Sequence, residues 1–116
     1  MEIFIFLIAA HFLCDYPLQG NYMAMAKNRH VLREDDFFNI PKWEEWPWVL
    51  SGHAFIHGGA VYLITGLWYL GLAEAIIHWI TDDSKCGGKL TYNQDQFIHI
   101  ACKVTWAIIA AVALGG

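Results

Sequence analysis

Four apolar segments of this chain each carry two ionisable side chains spaced i and i+4, and no other feature restricts its fold so strongly. The pairs are His11/Asp15, His53/His57, His78/Asp82 and Asp95/His99. On a helix that spacing puts both side chains on one face, about one turn apart. The stretch HWITDDSKCGGKLTYNQDQFIH, residues 78–99, shows the pattern most compactly. One apolar segment arrives at it with His78 and Asp82, and another leaves with Asp95 and His99. Two helices joined by that short loop bring both pairs to the same end of a bundle.

Composition decides what surrounds the bundle. Hydrophobic residues make up 57% of the chain and charged residues 16%, against about 25% charged in soluble proteins. The charge gathers in two stretches, roughly residues 27–45 and 82–95. What remains is nearly continuous apolar sequence, so the expectation is a membrane-embedded chain. At 116 residues, positions 1–116 form a single integral membrane domain. The apolar segments 3–14, 48–65, 72–83 and 94–114 predict an all-α fold, a four-helix transmembrane bundle with a long cytoplasmic connection between helices 1 and 2.

Punctuation sets the expected boundaries. Pro17 ends the first helix near residue 16, and Pro47 stands at the start of the second. Gly52, Gly58 and Gly59 permit close helix contact, and Gly66 and Gly71 bracket a tight turn. Residues 84–93 read as a loop. In the 17–46 connection, residues 21–31 fit a short helix on the membrane surface. Arg33, Glu34, Asp35 and Asp36 read as a solvated charge cluster, and Trp43, Trp46 and Trp48 as an interfacial belt. The N-terminus lacks a basic region, and Asp15-Tyr16-Pro17 stands where a cleavage site would be needed, so the first helix is expected to be retained. Three cysteines without a CxxC spacing argue against a disulfide framework or a thiolate zinc site.

The charges also orient the chain. Lys27, Arg29, Arg33 and Lys42 lie in the 17–46 connection, Lys85 and Lys89 in the 84–93 loop, and none in the 66–71 turn or the tails. Both basic loops fall on one side of a four-helix arrangement. The positive-inside rule makes that side cytoplasmic, with both termini outside. The expected location is a multi-pass protein of the bacterial inner (cytoplasmic) membrane. Seven basic residues and a net charge of −4 leave no stripe to hold a nucleic-acid backbone. The expected partner is membrane lipid. The shortness of helices 1 and 3 leaves a homo-oligomer open.

Every pair lies at the end of its helix nearest the basic loops. Helix directions then sort the eight side chains into an inner tier, His11, His57, His78 and His99, and an outer tier, Asp15, His53, Asp82 and Asp95, about 6 Å away. Imidazole and carboxylate are the ligands that suit divalent Zn, with Mn or Fe as alternatives. Bundle cores build di-metal sites from such facing side chains, so two ions are expected near the cytoplasmic face. Whichever of Asp15, Asp82 and Asp95 is not a ligand would act as the catalytic base. Gln19, Lys85 and Gln96 stand where a substrate would be held. Glu74, four residues before His78, and Lys103, four after His99, are expected to pair as a structural salt bridge one turn deeper. Taken singly, a His/Asp pair is more often polar glue between helices. Four pairs at one depth are costly, and that favours a functional site.

The blocks HFLCDYPLQ (11–19), HAFIH (53–57), HWITDDSK (78–85) and DQFIH (95–99) resemble, in order and over nearly the whole chain, an uncharacterised domain-of-unknown-function family of small bacterial and phage membrane proteins. A looser similarity is to predicted membrane-bound metal-dependent hydrolases, and by analogy to helical zinc phosphoesterases. The resemblance implies no established activity. The expectation is a membrane-embedded metal-dependent hydrolase of a phosphoester or polar lipid headgroup. The other classes are a metal- or proton-transporting or sensing protein using the same tiers, and a phage-encoded structural or pore-forming protein.

Overall fold

A computed structural model describes residues 2–30 and 41–115. Among them there are five α-helices and no strand: α1 Glu2–Asp15, α2 Gly20–Ala26, α3 Lys42–Thr65, α4 Trp68–Cys86 and α5 Tyr92–Ala113. Helices α1, α3, α4 and α5 form a closed ring. In it α3 touches α1 and α4, and α5 touches α4 and α1. The short α2 leans on α3. The Arg33, Glu34, Asp35 and Asp36 cluster lies outside the described residues, as does residue 31; the surface helix expected over 21–31 already ends at Ala26.

Local chemistry explains most of the ends. Pro17 has no N–H to continue α1, which stops at Asp15. Gly20 then takes a positive φ of 66°, and α2 leaves at 82° to α1. Helix α3 closes on Gly66, at φ 73°, whose N–H donates to the Tyr62 carbonyl. Helix α5 opens with a capping box, in which the Thr91 hydroxyl accepts from the Gln94 N–H and the Gln94 side chain accepts from the Thr91 N–H.

Several boundaries differ from those expected. Helix α3 begins at Lys42, behind Pro41, so Pro47 lies inside it and not at its start. Helix α4 takes in residues 68–71 and 84–86, so the loop shrinks to residues 87–91. Lys85 in its last turn suits the negative end of the helix dipole and reaches back to Asp82. Gly71 is not a turn residue. A Cβ there would sit 2.7 Å from the Gly58 carbonyl oxygen, and one at Gly58 would sit 2.6 Å from the Gly71 oxygen. The two glycines let α3 and α4 touch backbone to backbone. Gly52 and Gly59 have nothing within 4 Å of an added Cβ and play no such part.

The interior is divided. At one end Leu7, Val61, Leu70, Trp106 and Ala110 form a small apolar core. Much of the remaining interior is polar: His11, His53, His57, His78, His99, Glu74, Asp82, Asp95 and Lys103 are each 1% exposed. The outside is the reverse. Phe97, Val112 and Leu63 are 76%, 79% and 84% exposed, and Phe6, Phe55, Ile76, Ile80 and Ile108 are exposed with them.

Among the described helices, α5 alone is long and apolar enough by itself to cross a membrane. Helices α1 and α2 reach that length only together, across their bend. By helical rise α3 and α4 extend ~36 and ~28 Å. Their Lys42, Glu44 and Glu45, and Glu74, Asp82, Asp83 and Lys85, lower their apolar character.

Candidate metal centre

Five imidazoles meet in the polar half of the ring. His78 stacks between His57 and His99, with centroid distances of 3.8 and 4.1 Å. His53 meets His57 and His78 edge-on at 4.8 and 5.0 Å. His11 completes the group 5.5 Å from His57 and 5.4 Å from His99. They come from four different helices. The i, i+4 spacing aims each pair inward, and the ring of helices makes inward a common point.

The Asp15 carboxylate lies in the middle of this cluster. Its Oδ1 accepts a hydrogen bond from His57 Nε2 at 2.9 Å, with His53 Nε2 at 3.3 Å and His78 Nε2 at 3.9 Å. Its Oδ2 accepts from the Gln96 amide at 3.0 Å, and His11 Nε2 is 3.5 Å away. The expected separation into two tiers therefore does not describe these side chains. Asp15 and His53, placed in the outer tier, join the inner imidazoles, because their side chains reach toward the bundle axis and not straight along the helices.

Asp82 and Asp95 stay nearer the basic end and are held differently. Asp82 Oδ2 accepts from Lys27 Nζ at 2.5 Å, and its Oδ1 lies 3.0 Å from Lys85 Nζ. Asp95 Oδ1 accepts from His99 Nε2 at 3.1 Å, while Oδ2 accepts from Gln96 and lies 3.8 Å from Lys85. Lys85 lies past the apolar segment 72–83. Burial lowers the pKa of its ammonium, but the Asp82 and Asp95 carboxylates outweigh that and raise it above the ordinary lysine value. One turn deeper, Lys103 donates to Glu74, whose other oxygen accepts from Trp106 Nε1 at 2.6 Å. Glu74 Oε1 faces His78 Nδ1 at 3.6 Å.

All eight side chains proposed as ligands thus belong to one connected network, together with Glu74 and Lys103. The three residues expected near a substrate are themselves tied into the network. Gln96 donates to Asp15 and Asp95 and accepts from His11 Nε2 at 3.0 Å, so it braces the cluster. Gln19 donates to the Asp15 carbonyl at 3.0 Å and accepts from Lys27. Lys85 compensates Asp82 and Asp95. The sequence reading missed Lys27, which it took chiefly as a topology determinant. It is 3% exposed and bound to Asp82, 55 residues away in sequence. The one hint was charge balance, since buried carboxylates need counter-ions.

Among the described residues, two groups of side chains converge closely enough to hold a metal. In Asp15, His53, His57 and His78, one ligand atom from each lies within 4.8 Å of all the others, and Glu74, His78 and His99 form a second group. The donor chemistry of the first group fits a divalent ion. Zn–N and Zn–O bonds of about 2.0–2.2 Å place tetrahedral ligands ~3.3 Å apart, and the three Asp15 Oδ1 to Nε2 distances, 2.9, 3.3 and 3.9 Å, bracket that edge. Both ring nitrogens of His53 and of His78 are buried and make no hydrogen bond among the described residues. Orphaned buried nitrogens are costly, and a metal on Nε2 would relieve two of them. Cys14, Cys86 and Cys102 are free thiols outside both groups.

No curated protein and no solved structure matches the chain. The family model described as "Protein of unknown function (DUF3307)" matches residues 3–114. The chain, built around this His/Asp network, belongs to that family.

Proposed function

We propose that this protein is a membrane-embedded, metal-dependent hydrolase of a phosphoester or polar lipid headgroup. The observation that carries the reading is the Asp15 carboxylate with the Nε2 atoms of His53, His57 and His78 gathered around it. Asp15, His53, His57 and His78 would hold one divalent ion, Zn before Mn or Fe. The second group shares His78, and its Glu74 is already engaged by Lys103 and Trp106. One ion is therefore the better fit than the two expected from the residue types.

The membrane setting is supported by the inverted distribution of polarity. Exposed Leu63, Phe97 and Val112 around five buried histidines and six buried carboxylate and lysine side chains invert the usual pattern of a water-soluble protein. A hydrocarbon surround makes that arrangement favourable. In this reading α1, α3, α4 and α5 each cross the bilayer. Exposed Trp43 and Trp48 lie at one interface. Contacts of Lys27 with Asp82 and of Arg29 with Asp83 tie both basic segments to one end, the cytoplasmic side under the positive-inside rule.

A bound divalent ion supplies a Lewis acid for a phosphoryl oxygen and lowers the pKa of a water. The chain's own groups do the rest. Glu74 would accept a hydrogen bond from His78 Nδ1, fixing the tautomer that leaves Nε2 as ligand. Asp82 is tied by two lysines. Asp95 orients His99 through its Nε2–H, so His99 Nδ1, buried and without a hydrogen bond among the described residues, is the base available to take a proton. Asp95 is then a positioning residue and not the base itself.

The test is turnover. Purified protein with Zn restored should release product from a phospholipid or soluble phosphoester panel, and stripping the metal with a chelator should abolish release. Tight metal binding without turnover on any member would move the assignment to a metal- or proton-transporting or sensing protein. The buried Glu74–Lys103 pair, which continues the polar strip one turn deeper, favours that second reading over a purely structural one.

A further inference from the structure

The charges of the network do not balance, and the imbalance points to a ligand. Among the described residues, the groups linked to the imidazoles comprise four carboxylates, Asp15, Glu74, Asp82 and Asp95, against three ammonium groups, Lys27, Lys85 and Lys103. With neutral imidazoles one negative charge is left over. Arg29 and Asp83 neutralise one another at the edge and do not alter the sum. A divalent cation on Asp15 and the histidines converts that single negative charge into a single positive one. A network this deeply buried tolerates an uncompensated charge poorly. One monoanion restores neutrality.

The geometry shows where such an anion would arrive. Of the network's carboxylates and lysines, Lys85 and Asp15 are the most open, their side chains 25% and 11% exposed. Beside them Tyr16 and Tyr92 are exposed and joined by their hydroxyls, and the Lys85 ammonium lies 5.9 Å from the Tyr92 ring. These exposed side chains lie where the end of α1 meets the start of α5. Lys85 and Lys27 both already bind Asp82 through its two oxygens, so each can exchange part of that contact for another anion without losing its partner. Arg29, Asp83 and Lys89 line the neighbouring pocket of about 220 Å³ with His30 and Ser84; with Arg29 and Asp83 paired, Lys89 is the positive charge left there.

We infer that the metal-loaded site takes one singly charged phosphodiester-type anion, admitted beside Tyr16 and Tyr92 and held by Lys85 with Lys27 behind it. This rests on the metal reading above and narrows its substrate class. Before any water is deprotonated, a phosphodiester with its one negative charge suits the deficit, whereas a neutral ester leaves the positive charge uncompensated. The anion is either the headgroup of a bilayer lipid or a free phosphate ester, and the recognition chemistry is the same for both.

The test uses the full chain in detergent micelles, loaded with Co in place of Zn, whose visible bands report the ligand field. Diethyl phosphate, inorganic phosphate, micelles doped with phosphatidylglycerol, and chloride are added in turn. The expected result is a saturable band shift with the phosphate probes and none with chloride. A response to phosphatidylglycerol at far lower concentration than to diethyl phosphate identifies the lipid headgroup as the source, and equal responses identify the free ester. Lys85→Met should weaken the apparent anion affinity roughly tenfold or more, as the loss of one charged hydrogen bond implies. Lys85→Arg should retain it, with Co affinity in the absence of anion little changed in either variant. No shift with any phosphate probe, an equal shift with chloride, or an unchanged response in Lys85→Met would overturn the inference while leaving the metal reading intact. Failure of the wild type to bind Co at all would overturn both.

Discussion

Replacing Asp15 by asparagine is expected to cost more in metal affinity than any change to the supporting residues. The substitution keeps the shape and an acceptor for His57 Nε2, but it removes the charge that faces three imidazole nitrogens. Loss of an outer partner typically lowers metal affinity about 10–100-fold. Asp15→Asn should exceed that range. Gln96→Ala, which removes the amide bracing Asp15, Asp95 and His11, should fall within it. Competition with a chromophoric chelator reads both numbers in the same detergent. Equal, small losses in the two variants would mean that Asp15 is no more than another hydrogen-bond partner of the cluster.

The second large effect belongs to Lys103. Its ammonium and the Glu74 carboxylate are each 1% exposed, in the part of the ring that adjoins the apolar core. Lys103→Met removes one member of a buried ion pair and leaves Glu74 with Trp106 and a distant His78 nitrogen. Breaking such a pair costs about 3–5 kcal/mol. Removing the charge of its partner as well, in Lys103→Met/Glu74→Gln, should recover most of that loss, since a neutral amide can still accept from Trp106 Nε1. Unfolding in mixed micelles with increasing dodecyl sulfate, followed by helical circular dichroism, gives both differences. A single variant as stable as wild type would show that the pair contributes nothing to the fold.

The ionisable pairs were legible because helical periodicity is local. His11/Asp15, His53/His57, His78/Asp82 and Asp95/His99 needed only four-residue spacing to be placed on common faces, and the meeting of those faces followed from short loops. Helix ends were less legible where apolar character and hydrogen bonding part company. Lys42 to Trp46 read as connection because they are polar, yet the backbone coils from Lys42 because Pro41 marks the true start. Ser84, Lys85 and Cys86 likewise extend α4 after its apolar run has ended.

The buried place of Lys27 was not legible. Its place depends on Pro17 stopping α1, on Gly20 turning the chain, and on the 82° departure of α2, which together carry a lysine back to Asp82. The position of Asp15 is a similar case. Its spacing from His11 puts it on the right face, but only the closing of α1 against α3 brings its carboxylate to His57 and His53. Long-range contacts of this kind come from the ring as a whole and not from any one helix.

Bound metal per chain separates a metal centre from a purely structural polar network. Protein purified in detergent without chelators, then dialysed and analysed by inductively coupled plasma mass spectrometry, is expected to retain one divalent ion per chain, Zn foremost. His57→Ala, which removes the imidazole closest to Asp15, should retain almost none. A wild type that holds no divalent metal after reconstitution, or a His57→Ala variant that holds as much as wild type, would contradict the account.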